Sequence, residues 1–340
     1  MKLKTLASPS DRFDIAFPQK QFDVVGFGLN SVDHICVVPE YPHLDTKCEI
    51  VHYAKLPGGQ VATAVLFLAR MGMRTRYIGK IGGDELGQYA LDSLRSESID
   101  ISSVRIEQDA VSRYAFIIVE KSSGERTVLG HRDPRLSFVE SELDRESICS
   151  GRTLHLDGCD GPASLRAALF CRDQGIPVSI DLDAVVEDCD QLIANVDFLI
   201  VSSNFPCEFT GISDPVRSIV QLRDYCDGFI AVTSGSGGAT ALVGDQCVNF
   251  PALKVQAIDT TGAGDIFHAG FIYGVLQNWP LEKIMAFANA SAGLSCTRLG
   301  AQAGIFPLAT IMEAAESLII SRQQAVGSHC RPLHPALPSV

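Results

Sequence analysis

Six short apolar runs, FDVVGFG, TRYIG, TLHLDG, PVSIDLD, DFLIVSS and FIAVTSG, recur along the chain with helix-patterned segments among them. No other feature constrains the fold as much. Strands that alternate with helices close into a mainly parallel sheet covered on both faces. GQVATAVLFLARMG has helix periodicity and stops at Gly72, TRYIG follows as a strand, and DELGQYALDSL is a helix opened by Asp84. GPASLRAALFCRDQG supplies a further helix. No internal repeat is evident.

Two regions break the alternation. HICVVPEYPHLDTKCEIVHYA, about residues 34–54, and SRYAFIIVEKSSGERTVLGH, about 112–131, are strand pairs with no helix between them. The second has Gly124 in its turn and the pattern of a hairpin. Antiparallel pieces placed early in an α/β chain predict a small sheet projecting from the body. Such a sheet can serve as a lid, as a homodimer interface, or as both. The expected organisation is an extension over residues 1–20, a domain over 21–323 and a flexible tail over 324–340. Both termini are expected to be poorly ordered, the second because SHCRPLHPALPSV is rich in proline.

Composition narrows the function by exclusion. With 340 residues, 46% of them hydrophobic, the chain can bury a large core. Lys and Arg number 28 against 40 Asp and Glu, a net charge of −12 that argues against nonspecific nucleic-acid binding. No apolar run reaches about 18 residues, and MKLKTLASPSDRFD lacks a signal-peptide core, so a cytoplasmic protein is expected. The 11 cysteines form no C-x-x-C pair and keep no ligand-like spacing with the 8 histidines. They read as buried thiols in a reducing compartment.

The chemistry concentrates in VQAIDTTGAGDIFHAGFIYGVL, residues 255–276. Small residues let a backbone approach a ligand closely, and the helix that follows offers unpaired N–H groups to an anion. A carboxylate beside that anion makes sense if it collects a proton during reaction. Its plainer role is a helix cap. Asp259, Thr260, Thr261, Gly262, Ala263, Gly264 and Asp265 together match Asp-Thr-x-Gly-Ala-Gly-Asp, and so this segment resembles the signature of the ribokinase-like (PfkB) sugar kinases. LPGGQVATAVLFLARMGMRTRYIGKIGGDELGQ resembles that family's N-terminal signature, GFGLNSVD its first strand and substrate turn, VTSGSGGA its nucleotide loop, and ANASAGLSCTRLGAQ its terminal helix and adenine-side turn. The resemblance covers about residues 22–320.

It implies a three-layer α/β/α fold with a β lid and an ATP-dependent transfer of a phosphoryl group to a hydroxyl, most simply a primary hydroxyl of a free sugar. Nucleosides and sugar phosphates are the alternative acceptors. A catalytically silent binding protein is the rival from another class, although such a chain would be expected to lose motif residues that are kept here. Phosphoryl transfer needs alignment, charge stabilisation and a proton acceptor. By resemblance, the Gly262, Ala263 and Gly264 backbone is the anion hole and Asp265 the general base. Asp33, with Asn30 on the same turn, would hold sugar hydroxyls, and Gly58 and Gly59 would let backbone touch the sugar. Thr63 stands where many members carry Asn.

Thr233, Gly235, Gly237 and Gly238 match the loop beneath the nucleotide, while Asn289 and Gly300 match the adenine-flanking helix and turn. Asn204 and Glu208 correspond to the Asn-x-x-Glu pair linked to Mg²⁺ and phosphate, here four residues apart. Mg²⁺ would arrive on ATP, held mainly by phosphate oxygens and water. A monovalent cation, potassium, is expected near Asp259. Lys55, Arg126 and Arg132 form a basic group near the lid that could serve a sugar phosphate or merely face solvent.

Overall fold

The computed structural model describes residues 6–329, with side chains to Arg322. In chain order the strands are β1 (Phe22–Phe27), β2 (Ser31–Val38), β3 (His52–Gly58), β4 (Thr75–Ile78), β5 (Lys80–Gly82), β6 (Arg105–Glu107), β7 (Tyr114–Glu120) and β8 (Arg126–His131). They continue as β9 (Gly151–Leu156), β10 (Val178–Leu182), β11 (Phe198–Ser202), β12 (Phe229–Thr233), β13 (Ala239–Val243) and β14 (Gln246–Phe250). The helices are α1 (Gln60–Arg70), α2 (Glu85–Ser96), α3 (Arg145–Ile148), α4 (Gly161–Asp173) and α5 (Cys189–Ile193). After them come α6 (Phe205–Thr210), α7 (Pro215–Gln221), α8 (Ala263–Leu276), α9 (Leu281–Ser295) and α10 (Leu308–His329).

All six apolar runs become neighbours in one eight-stranded sheet of order β14-β13-β12-β11-β10-β9-β1-β4. The six strands from β12 to β4 pair in parallel, and β13 and β14 add an antiparallel edge. Successive side chains of a strand point to opposite faces. Accordingly Leu199 and Val201 enter one core with helices α4 to α7, whereas Phe198 and Ile200 enter the other with α8 and α9. Burial on both faces explains why these runs are continuously apolar rather than alternating. Among the described residues, no helix is long and apolar enough to cross a membrane.

The two expected strand pairs form a separate four-stranded sheet, β3-β2-β7-β8. Its hairpin-like pairs are antiparallel, but they join through a parallel β2–β7 ladder. One face carries Ile35, Ala115, Ile117 and Val119, buried beside Leu56 and Leu299. The other leaves Tyr53, Phe116 and Leu129 exposed by 53%, 45% and 56%.

The N-terminal extension is not the loose end expected from its composition. Leu6 and Phe13 are buried in the α8–α9 core, and Phe13 packs edge-on against Phe198, Phe229 and Phe271. Backbone bonds from Gly244 to Leu6 and from Leu281 to Asp11 fasten the segment down. Burying an aromatic ring of this size stabilises the fold by about 1.5–3 kcal/mol, enough to order a short strap. At the other end α10 runs to His329, so the expected tail begins inside a helix and its remainder lies outside the described residues.

Candidate active site

The C-terminal ends of the parallel strands, where α/β sheets bind ligands, bring the motif residues together under the lid. At the centre is the start of α8. Its N-cap Gly262 has φ 78°, and a Cβ there would lie 2.4 Å from that of Ala301. Both facts require glycine. Gly264 is different. A Cβ at this position would meet no protein atom within 4 Å, so the side of the helix start beside Asp265 is left open. The first turn of a helix leaves N–H groups available to an anion, although here that of Ala263 donates to the Thr260 carbonyl at 3.3 Å.

Asp259 sets this turn in place. Its carboxylate is 1% exposed; Oδ1 accepts from Thr261 N at 2.8 Å and Thr261 Oγ1 at 2.6 Å, and Oδ2 accepts from Gly300 N at 2.8 Å. Gly300 therefore belongs to this junction. With φ 87° and a Cβ position 2.3 Å from Leu56 Cδ1, it abuts the lid, and its amide is spent on Asp259.

The residues expected to hold substrate meet in the same place. Asp33 on β2 is 5% exposed and accepts from Ser31 Oγ at 2.9 Å. Gly58, paired with Ser31, leaves the room that its carboxylate fills: a Cβ would sit 2.0 Å from Asp33 Oδ2. Gly59 has φ 95° and would strike Asn30 Cα at 2.6 Å, so the glycine pair lets β3 turn into α1 across the Asn30 backbone. Asn30 is 5% exposed with both amide atoms unpartnered. Thr63 is placed otherwise than expected. It has no exposed surface and lies inside the packing of α1, since it follows the N-cap by a full turn.

The nucleotide-side residues occupy neighbouring strand ends. Thr233 closes β12, and Gly235 to Gly237 form a short exposed 3₁₀ turn. Gly238, φ 86°, passes so close to the Phe250 carbonyl that a Cβ would lie 2.1 Å from it. That carbonyl also accepts from Asn289 Nδ2 at 3.1 Å, so Asn289 is buried and engaged in holding α9 to β14. Asn204 and Glu208 are exposed on the first turn of α6, beyond β11, and fit a water-mediated approach to a phosphate-bound cation better than direct enclosure.

Several groups escaped the sequence reading. Asp181 and Asp183, at the end of β10, face Asp265. Burial and these two carboxylates hold the partly exposed Asp265 well above the usual carboxylate range, with Asp33 adding and Arg126 opposing. Burial and Asp181 likewise push Asp183 up to about 6, and Gln60 Nε2 donates to it at 3.0 Å. Burial would also raise Asp181, but His268 Nε2, 3.1 Å away, keeps it below its ordinary value. His268 lies one turn beyond Asp265 on α8, and that spacing was the available signal. Arg126 reaches in from the lid, donating to Thr260 Oγ1 at 2.8 Å. The arrangement offers one cation reaching in from the lid, three carboxylates with raised proton affinity (Asp33, Asp183 and Asp265), and a helix start open to an anion. That is equipment for moving a proton and stabilising phosphoryl charge.

Comparison with known proteins gives the same answer. A family model described as pfkB family carbohydrate kinase matches residues 21–307. The chain belongs to the pfkB family of carbohydrate kinases. It is an ATP-dependent phosphotransferase of ribokinase-like fold. A nucleoside kinase of Methanothermobacter thermautotrophicus is 27% identical over 298 residues, covering 83% of this chain and 92% of its own. An ATP-dependent ribose-1-phosphate kinase of Halopiger xanaduensis is 28% identical over 267 residues, covering 78% and 88%. The structure of Arabidopsis thaliana ribokinase complexed with ribose and ATP superposes with a TM-score of 0.72 at 18% identity, covering 87% of this chain and 99% of its own, a likeness of fold.

Burial pushes Asp33 up to about 6, with Ser31 opposing and Asp259 adding. Because the folded chain binds this proton more tightly than the unfolded chain, ionised Asp33 lowers stability progressively as pH rises from about 4 to about 6. Asp33→Asn is therefore expected to be more stable than the parent at pH 7, by up to about 3 kcal/mol, and to lose that advantage at pH 4. Urea unfolding at the two pH values checks this. A variant equally destabilised at both would show that the carboxylate is a structural strut.

Proposed function

We propose that this kinase phosphorylates a hydroxyl, most simply a primary one, of a small sugar or sugar derivative, with Asp265 as general base. The observation that carries the reading is the convergence of Asp265, Asp33 and Arg126 on the start of α8, where Gly264 leaves open space beside them. In this reading Asp33 and Asn30 orient the acceptor, leaving its hydroxyl beside Asp265. The raised proton affinity of Asp265 suits a group that takes a proton only as the new bond forms. The Gly262–Ala263–Gly264 backbone and Arg126 stabilise charge developing on the transferred phosphoryl group. Thr233 and the glycines of the following turn support the nucleotide. Asn204 and Glu208 would lie toward Mg²⁺ carried on ATP, which supplies charge neutralisation of the phosphates. Closure of the lid excludes water and suppresses wasteful hydrolysis.

The relatives' names include a nucleoside kinase, a ribose-1-phosphate kinase, 5-dehydro-2-deoxygluconokinases and fructokinases, and acceptors of each kind are to be assayed here. Asp265→Asn keeps the shape of the residue while removing its basic site. Its turnover is expected to fall by at least about 100-fold, while stability at neutral pH is expected to rise, because burial, Asp181 and Asp183 oppose the ionised form. Near-normal turnover would remove Asp265 as the base and with it the mechanism.

Asp259 is buried without an ion pair among the described residues, so a monovalent cation beside it fits as charge compensation. Replacing a large organic cation with K⁺ at constant ionic strength is expected to raise turnover; a flat response leaves Asp259 a purely hydrogen-bonded strut. The apolar outer face of the lid suits pairing with a second copy. Light scattering is expected to give a dimer mass that Phe116→Asp halves, and a monomeric parent would reject the pairing.

A further inference from the structure

The lid places three arginines on its inner face. Side chains alternate along each strand, and Asp33, Ala115 and Val128 belong to the face that looks onto the body, through the pairs Asp33–Ala115 and Ile117–Val128. Arg113, Arg126 and Arg132 have the same parity. Arg126 bonds to Thr260, as described above. Arg113 and Arg132 both turn instead to Cys159, at the end of β9. Each brings an Nη1 atom to 3.1 Å from the same sulfur.

A thiol is a poor partner for two guanidinium groups. Burial and the adjacent Asp157 push Cys159 up to about 11, so it is neutral at pH 7. Arg132 has further partners, since Asp160 accepts from its Nη2 and the Cys159 carbonyl from its Nη1. Arg113 makes no carboxylate bond among the described residues. Asp157 acts on it only through space, its oxygens accepting from Leu29 N and Cys159 N. Two cations thus converge beneath the lid with one carboxylate bonded between them.

This pair lies within reach of the acceptor site. Asp157 holds Leu29, the next residue is the buried and unpartnered Asn30, and Ser31 then holds Asp33. The Val32 amide bonds to the Arg113 carbonyl, and Ala115 stands opposite Asp33. Arg113 is therefore displaced from Asp33 by about two strand residues, about 6.6 Å, comparable with the length of a hexose chain. We propose that the acceptor carries an anionic oxyacid group, a phosphate or a carboxylate, at the end away from the reacting hydroxyl, and that Arg113, backed by Arg132 and the Asn30 amide, receives it. The inference rests on the kinase reading and narrows its substrate class. Planar guanidinium groups suit such oxyanions because they donate two parallel hydrogen bonds.

The test measures ADP release with matched acceptors: D-fructose against D-fructose 6-phosphate, and D-glucose against D-gluconate. In the parent, kcat/KM is expected to favour the anionic member of at least one pair. Which pair responds separates phosphate from carboxylate. In Arg113→Gln the anionic-to-neutral ratio of kcat/KM is expected to fall by about 10- to 100-fold, the loss typical of one charged hydrogen bond. Arg113→Lys keeps the charge but not the fork and is expected to fall between. A parent that prefers the neutral members, or a ratio unmoved by Arg113→Gln, overturns the inference and leaves the kinase reading intact. Equal loss toward both members together with a lowered melting temperature assigns Arg113 to holding Cys159 and also overturns it. No ADP release with any of the four acceptors, while a neutral nucleoside is turned over, overturns the inference and leaves the kinase reading intact.

Discussion

The Asp259 carboxylate is the contact on which the rest of the site depends. It is buried, and its two oxygens join the loop before α8 to the turn after α9 through Thr261 and Gly300. Unpaired, a buried carboxylate would be costly; three hydrogen bonds make it a rigid joint. From that joint follow the close approach of Gly262 to Ala301, which aims the start of α8, and that of Gly300 to Leu56, which seats the lid. Arg126 adds a second tie across the same gap by bonding to Thr260. Lid, anion site and helix start are thus coupled through a few side chains rather than through a broad apolar interface.

Around that joint the molecule tolerates an electrostatic cost. Asp33, Asp181, Asp183 and Asp265 crowd the strand ends, and the cations facing them are Arg126 and, when protonated, His268. Like charges in a partly buried cleft raise one another's proton affinity, so their titrations belong to the cluster and not to single residues. The fold supports this strain with two well-packed cores on opposite faces of the sheet. The N-terminal strap around Phe13 adds to one of them.

Much of the site was legible in the chain because its chemistry is local. Gly262, Gly264 and Asp265 lie within four positions, and the anion site proposed there is a property of one helix start. The Gly58–Gly59 pair was legible as a place of close approach. What it approaches, Asp33 and Asn30, became visible only when β2 and β3 paired. Thr63 was misjudged for a related reason. Nearness to a glycine pair in sequence says little about which side of α1 a residue faces, and Thr63 faces inward. Asn289 and Gly300 have motif-like neighbours, and what the sequence does not show is that Asn289 Nδ2 bonds to Phe250 and Gly300 N to Asp259. Partners 39 and 41 residues away in the chain leave no local trace.

By itself the sequence determined the alternating strands and helices, the parallel sheet and the glycine-rich helix start, because each follows from periodicity or from backbone geometry over a few residues. Tertiary structure decided the parallel β2–β7 join that makes one lid from two hairpins, the Asp181–His268 contact beneath Asp265, and the meeting of Arg113 and Arg132 on Cys159. These depend on how separate segments settle when their apolar faces are buried. Hydrophobic burial is non-directional, so it brings such segments together without announcing in the sequence which polar groups will meet.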